Sequence, residues 1–294
     1  MSTAISVIIP YYQGKRYLAD LLSMMERNAR ILRAETGREL EVLLVNDSPW
    51  ENLEEGRIPQ KDTERTYCLK VLTNQKNSGI HATRANGLNA ANGEFIQFLD
   101  QDDRITDRCL MSQYKAIGDA DFVIGNGYDG EADGGKHLFY SNASEQAAAG
   151  DLMCQYYYNN LIRSPGQVLI RKSSIPAYWS EQIMKNNGSD DAFLWILMLC
   201  SGARVAINEE LVYEHVYTGE NTSSNNEAML RSQMEVAEKL KGIASPIGMW
   251  AFCRRAKYYC TSGAAHRLRY PDVGLLRALS SRIWVKAQGK GVTG

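Results

Sequence analysis

A chain of 294 residues, 44% hydrophobic and 23% charged, has room for one large α/β domain with an extension or for two small domains. Its formal net charge of −1 supplies no global field for nucleic acid, and its six cysteines contain no C-x-x-C pair, which argues against structural zinc or a disulfide framework and fits a reducing cytoplasm. No apolar run reaches membrane length, and the N-terminal one at 5–10 is too short for a signal-peptide core.

Residues 4–9 form an apolar run that predicts a first buried strand, ended by Pro10, which cannot donate to a sheet ladder. Tyr17, Leu18, Leu21, Leu22 and Met25 recur at helical spacing and predict a helix. Residues 41–45 predict a second strand ending in Asn46-Asp47-Ser48-Pro49; 50–65 read as a loop or weak helix, and 67–72 as a third strand. A helix of small residues follows at 79–92, a fourth strand at 95–99, a helix at 107–117 and a short fifth strand at 121–124. Residues 126–165, rich in Gly, Asn, Ser and Tyr, read as a long crossing connection and part of an acceptor site. Strands follow at 167–170, 205–207 and 211–213, with helices at 192–199 and 228–240 and a helical remainder. Strands alternating with helices imply a mostly parallel sheet, which binds ligands beyond the carboxyl ends of its strands.

The strand at 95–99 ends in Asp100-Gln101-Asp102-Asp103, three acids within four residues. Close carboxylates repel unless a cation holds them, and hard oxygen ligands suit Mg²⁺ or Mn²⁺. The alternative is a solvated acidic turn or a helix N-cap before Thr106. Asp47 lies at the end of another strand, where it can converge with these acids; alternatively it caps its own turn. Ser189-Asp190-Asp191 precedes an apolar helix and supplies either a functional carboxylate or ordinary helix capping. His81 reads as a helix residue and Trp195 as core.

Taken in order, these segments resemble family 2 glycosyltransferases of the GT-A fold, over roughly residues 4–225. The run 5–10 with Tyr11-Tyr12-Gln13 is similar to the family's first strand and P-x-Y-N, with Gln13 where Asn is usual. Val45-Asn46-Asp47-Ser48 resembles V-D-D-G-S, with Asn46 for the first Asp. Asn77, Gly79, Arg84, Gly87-Leu88 and Gly93-Glu94-Phe95 resemble N-x-G…A-R-N-x-G-L…G-E-Y, with Ala85 for Asn. Leu99-Asp100-Gln101-Asp102-Asp103 resembles the metal-binding L-D-x-D-D, and Ser189-Asp190-Asp191 with Leu194-Trp195 resembles x-E-D-x-x-L-W, with Asp190 for Glu.

The resemblance implies a Rossmann-like α/β GT-A domain at 1–225, with a nucleotide-sugar half at about 1–105 and an acceptor half at about 106–225. A basic helical extension would occupy 226–294. It implies an inverting, metal-dependent, hexosyltransferase-type enzyme that moves one sugar from a UDP-linked donor to a hydroxyl of a cell-envelope glycan, lipid-linked in one version. Asp102 would hold Mn²⁺ or Mg²⁺, with Asp100 on the ribose or on a water beyond the metal's direct ligands, and Asp103 sharing either role. His215 would touch the metal or diphosphate, or end its strand with no ligand. Asp47 would accept from the base, Pro10 and Tyr11 would line the base pocket unless Tyr11 is simply core, and Gly79 and Arg84 would face the diphosphate. Asp191 would be the general base, with Asp190 the second choice. Localisation would be cytoplasmic, with or without contact at the inner membrane face.

Residues 246–294 carry nine basic residues against Asp272 alone, a net +8, interleaved with Trp250, Phe252, Tyr258, Tyr259, Tyr270 and Trp284. A basic aromatic helix can lie on anionic lipid; the alternative is a cap docked on the acidic domain. No nucleic-acid module is visible. Two rival functions stand beside the first: a domain that binds nucleotide without catalysis, and a sugar nucleotidyltransferase, which would want more than Gly14-Lys15-Arg16 after the first strand.

Overall fold

In the computed structural model, residues 2–53, 65–130, 135–216 and 225–260, with Tyr270 and Val273, are described below. Strand β1 (Thr3–Tyr11) is flanked by β2 (Glu39–Asn46) and β4 (Phe95–Phe98), with β3 (Cys68–Thr73) outside β2. These four strands are all parallel, so both faces are covered and their sequences read as continuous apolar runs. Val7, Ile9, Val42 and Leu44 face helix α1 (Leu18–Thr36), whose Leu18, Leu21, Leu22 and Met25 pack on them. Ile8, Leu43 and Val45 face the other way, toward Leu88 of α2 (Ile80–Ala90) and the apolar helix α7 (Asp190–Cys200). Gly37, in the left-handed conformation at φ 68°, ends α1 and donates its N–H to Arg33 O at 2.9 Å.

Pro10 does not end β1. It sits inside the strand opposite Val45, and Tyr11 pairs with Asn46. Ile8 O accepts Leu99 N–H from the β4 side, and residue 10 faces that same side. Strand β4 has finished there, so no ladder bond is lost to the missing N–H.

Beyond β4 the sheet is mixed. Strand β8 (Val168–Arg171) runs antiparallel to both β4 and β6 (Phe122–Gly130). Strand β6 pairs in parallel with β9 (Val205–His215), β5 (Arg104–Ile105) caps the β9 edge, and β7 (Lys136–Leu138) pairs with β6. The two short strands expected at 205–207 and 211–213 are one strand, with register shifts opposite Gly125 to Gly127. A Cβ on Gly127 would lie 2.3 Å from Tyr213 O, so glycine permits that close approach. The same glycines hide the continuation of β6 past Ile124. The crossing connection contains α4 (Ala143–Ala149) and α5 (Leu152–Tyr157), while α3 (Cys109–Ile117) and α6 (Ala177–Glu181) complete the flanks.

Of the C-terminal segment, α8 (Asn226–Lys239) and α9 (Pro246–Cys260) are described. Their Val236, Met249 and Phe252 enter the same core as α7, and α9 packs on α5. Much of the expected loop at 50–65, the stretch 217–223 after His215, and most of the basic tail beyond Cys260 lie outside the described residues.

Candidate active site

A cleft of about 850 Å³ opens beyond the carboxyl ends of β1, β2 and β4. It gathers Pro10, Tyr11, Asp47, Gly79, Arg84, Asp100, Asp102, Asp103, Asp190, Asp191 and His215 from six separate stretches of chain.

On the β2 side, Asp47 fastens the entry to α2. Its Oδ1 accepts Asn74 Nδ2 at 2.7 Å and Ser78 N–H at 2.8 Å, and its Oδ2 accepts Gly79 N–H at 3.0 Å. Three bonds leave one acceptor site on Oδ2. Gly79 adopts φ 84°, ψ 164°, a region open essentially to glycine, and a Cβ there would lie 2.9 Å from Asn187 Oδ1. The N–H groups at this helix start are already engaged, those of Ser78 and Gly79 by Asp47 and that of Ile80 by Asn187 Oδ1 at 3.3 Å. The ring of Tyr11 is fully buried and its hydroxyl donates to Glu51. Tyr12 is the exposed aromatic of this lip, edge-on to Trp50 with ring centroids 6.1 Å apart.

Arg84 ties the two acidic groups together. Its guanidinium donates to Asp100 Oδ1 at 2.5 Å and to Asp190 Oδ2 at 2.7 Å, and it is 4% exposed. Burial opposes its charge, but Asp100 and Asp190 outweigh that and raise its pKa. Asp190 is therefore committed to an ion pair. Ser189 occupies the N-cap position of α7, yet its hydroxyl makes no capping bond.

Asp191, one residue on, is half-buried and faces the cleft. Burial and then the neighbouring Asp190 push its pKa up to about 7, with Arg84 pulling the other way. Asn160 Nδ2 donates to Asp191 Oδ2 at 3.3 Å.

In the acidic turn, Asp103 is committed. Tyr213 donates its hydroxyl to Oδ2, and Val216 N–H donates to Oδ1 at 2.9 Å. Burial and Asp100 push Asp103 to about 7. Asp102 takes no hydrogen bond from another described side chain, and burial followed by Asp100 raises its pKa. His215 Nδ1 lies 3.1 Å from Asp129 Oδ1, a contact that raises the His215 pKa. Among the described residues, no group of three or more His, Cys, Asp or Glu is preassembled to hold a metal ion. The donor chemistry nevertheless suits a hard divalent cation, because Asp102 and the free oxygen of Asp100 are carboxylate oxygens close enough for Asp100 to disfavour the charge on Asp102, with His215 and Arg16 only partly offsetting it. Asp103, with one bond on each oxygen, keeps one acceptor site on each.

His81, read as a helix residue, is buried, accepts Met184 N–H at 2.9 Å and packs 4.5 Å from the Trp179 ring. Trp195 is fully buried against Phe122. The cleft also holds residues that motif reading passed over: Arg163, Ser164 and Pro165, Asn187 and Gly188, and Gln101, which brackets the Tyr12 backbone at 3.0 and 2.9 Å. Ser164-Pro165-Gly166-Gln167 carries a legible signal, since Ser and Gln three apart with Pro between form a capping box, and both its bonds are made. Asn160 carries none.

The family model described as "Glycosyl transferase family 2" matches residues 6–179. Glycosyltransferase GlyG of Streptococcus pneumoniae serotype 4 is 26% identical over 220 residues, 72% of this chain and 70% of GlyG. Another relative from the same organism, GlyA, is matched over only 20% of its length. Among solved structures, S. aureus TarS 1–349 in complex with UDP superposes with a TM-score of 0.58 at 17% identity, over 91% of this chain and 74% of that one. The mannosyltransferase PcManGT from Pyrobaculum calidifontis, in complex with GDP-Man and Mn²⁺, gives 0.56 at 13% identity, over 99% and 80%. At these identities the two structures establish the GT-A fold alone.

Proposed function

The chain belongs to glycosyl transferase family 2, and we propose that it moves one sugar, with inversion, from a UDP-linked donor to a hydroxyl of a cell-envelope glycan. The observation that carries this reading is a single cleft that gathers Asp47, Gly79, Arg84, Asp100, Asp102 and Asp191 beyond the carboxyl ends of parallel strands. The nucleotide-sugar half is residues 1–105, with Asp47, Gly79 and the backbone of Pro10 and Tyr11 around the nucleotide and Arg84 beside the diphosphate. The acceptor half is 106–225.

Asp191 Oδ1 takes the proton of the acceptor hydroxyl as its oxygen bonds to the anomeric carbon. The bond from that carbon to the phosphate oxygen breaks on the opposite face, and the nucleoside diphosphate leaves. A general base whose pKa lies near the working pH is well matched to that step. Asp190 is the second choice, because its carboxylate is paired with Arg84. Asp102, with Asp100 and His215, would hold Mn²⁺ or Mg²⁺, which when bound neutralises charge on the departing diphosphate. The complexes of TarS with UDP and UDP-GlcNAc, and of PcManGT with GDP-Man and Mn²⁺, support a nucleotide-sugar donor and leave the sugar open. Incubation with UDP-, GDP- and dTDP-sugars, Mn²⁺ and isolated cell-envelope glycan and lipid as acceptor tests the reading. Release of UDP from one UDP-sugar is expected, and binding without release of any nucleotide would make this a binding domain only.

No described helix is long and apolar enough to cross a membrane. The outer face of α9 offers a different contact. Ile247 and Trp250, three residues apart on α9, are 70% and 55% exposed, Ile243 in the turn before the helix is 43% exposed, and the Arg254 guanidinium lies 5.1 Å from the centre of the Trp250 ring. Apolar and aromatic residues beside bases suit an anionic lipid surface, where a lipid-linked acceptor would be found. The protein should sediment with phosphatidylglycerol vesicles at low salt, and Trp250→Ser should weaken that. Equal behaviour with phosphatidylcholine would discard the contact.

A further inference from the structure

Asn160 is the one side chain from the acceptor half that hydrogen-bonds Asp191 among the described residues. Its orientation is dictated. Asn160 Oδ1 accepts Ile162 N–H at 3.1 Å and Gln155 Nε2 at 3.4 Å, so the amide nitrogen has to be the atom that faces Asp191. Gln155 is itself fully buried and donates to Ala149 O at 3.0 Å. The amide is therefore fixed from behind.

The residue before it is held from another direction. Arg255 of α9 is 4% exposed and donates Nη1 to Asn159 Oδ1 at 2.9 Å. Its Nε has no hydrogen-bond partner, and no carboxylate pairs with it among the described residues. Burial pulls its pKa down to about 10. A buried guanidinium without an acid is costly, so the fold retains it at a price that ordinary packing would not require. Asn159 N–H also bonds Cys154 O at 3.1 Å, at the end of α5. The loop is thus clamped between α5 and α9 at the position from which Asn160 reaches the cleft.

We propose that Asn160 is a positioning residue for Asp191, and that Arg255 holds its loop, so that the C-terminal helices belong to the acceptor-side machinery. The amide commits Asp191 Oδ2 and leaves Oδ1 for the acceptor. It also favours the ionised carboxylate, against the charges that face Asp191: Asp190 on its own helix and Asp100 after β4 oppose ionisation, while Arg84 on α2 supports it. The functional meaning rests on Asp191 being the base; the hydrogen bond itself does not.

The test is a pH titration of the full chain labelled with γ-¹³C aspartate, with the Asp191 signal identified by its loss in Asp191→Asn. In Asn160→Ala the Asp191 midpoint should rise by about one pH unit, the worth of one hydrogen bond to a charged group. Asn160→Asp, nearly isosteric and therefore a guard against loss of fold, should raise it further through like charge. Arg255→Met, which keeps the packed stem, should raise it by less. Coincident midpoints in wild type and both Asn160 variants would overturn the proposal. A shift with Asn160→Ala but none with Arg255→Met would remove Arg255 from it. Normal turnover of Asp191→Asn would instead defeat the base assignment, a separate failure.

Discussion

Asp191→Asn is expected to bind UDP as the wild type does and to slow transfer by about 10²- to 10⁴-fold, or about 3–5 kcal/mol in the barrier. The amide keeps the shape of the side chain and its place in the first turn of α7, but it cannot accept the proton. In the wild type, kcat/KM should rise with pH through about 7 and level off above it, because the base works only when ionised and burial with Asp190 holds its pKa there. That rising limb should vanish in the variant. The same shift has a stability consequence of fixed sign. Between pH 4 and 7 the folded chain keeps a proton on Asp191 that the unfolded chain has lost, so stability declines as pH rises across that window. Asp191→Asn should flatten this dependence. Near-normal turnover would move the base elsewhere.

Asp102→Ala should abolish the enhancement of UDP binding by Mn²⁺ without harming the fold. One oxygen of Asp100 is taken by Arg84, and both oxygens of Asp103 are taken by Tyr213 and Val216. Removing Asp102 therefore leaves Asp100 Oδ2 as the one carboxylate oxygen of the turn that accepts no hydrogen bond, too little to hold a divalent ion. In metal-free buffer the variant should melt no lower than wild type, because a carboxylate disfavoured by burial and by Asp100 has been removed. A variant that retains Mn²⁺-stimulated UDP binding would place the metal on other ligands. A variant that loses several kcal/mol of stability without metal would make Asp102 a structural residue.

The parts of the molecule that sequence reading reached are those where local pattern and global fold agree. Strands β1 to β4 are buried on both faces, so they stand out as apolar runs, and acids at 47 and 100–103 stand out against them. The second half was less legible. Strand β6 runs on through Gly125 and Gly127, which break a strand signal while allowing Tyr213 to approach. Pro10 breaks the usual strand rule because the neighbour its missing N–H would face, β4, has already ended. Within the site, the motif sets its variable position on Tyr11 and its Tyr on Tyr12, and burial separates the two in the same way, Tyr11 in the core and Tyr12 exposed at the lip. Asn160 sits in a loop without periodicity, and only the fold brings it to Asp191.

Thermal stabilisation by UDP, GDP, CMP and dTDP, each with and without Mn²⁺, tests the nucleotide-sugar cleft most directly, with Asp102→Ala measured beside the wild type. The expected result is a rise in Tm with UDP that is strong only when Mn²⁺ is present and is absent from the variant. No stabilisation by any nucleotide, with or without metal, would contradict it.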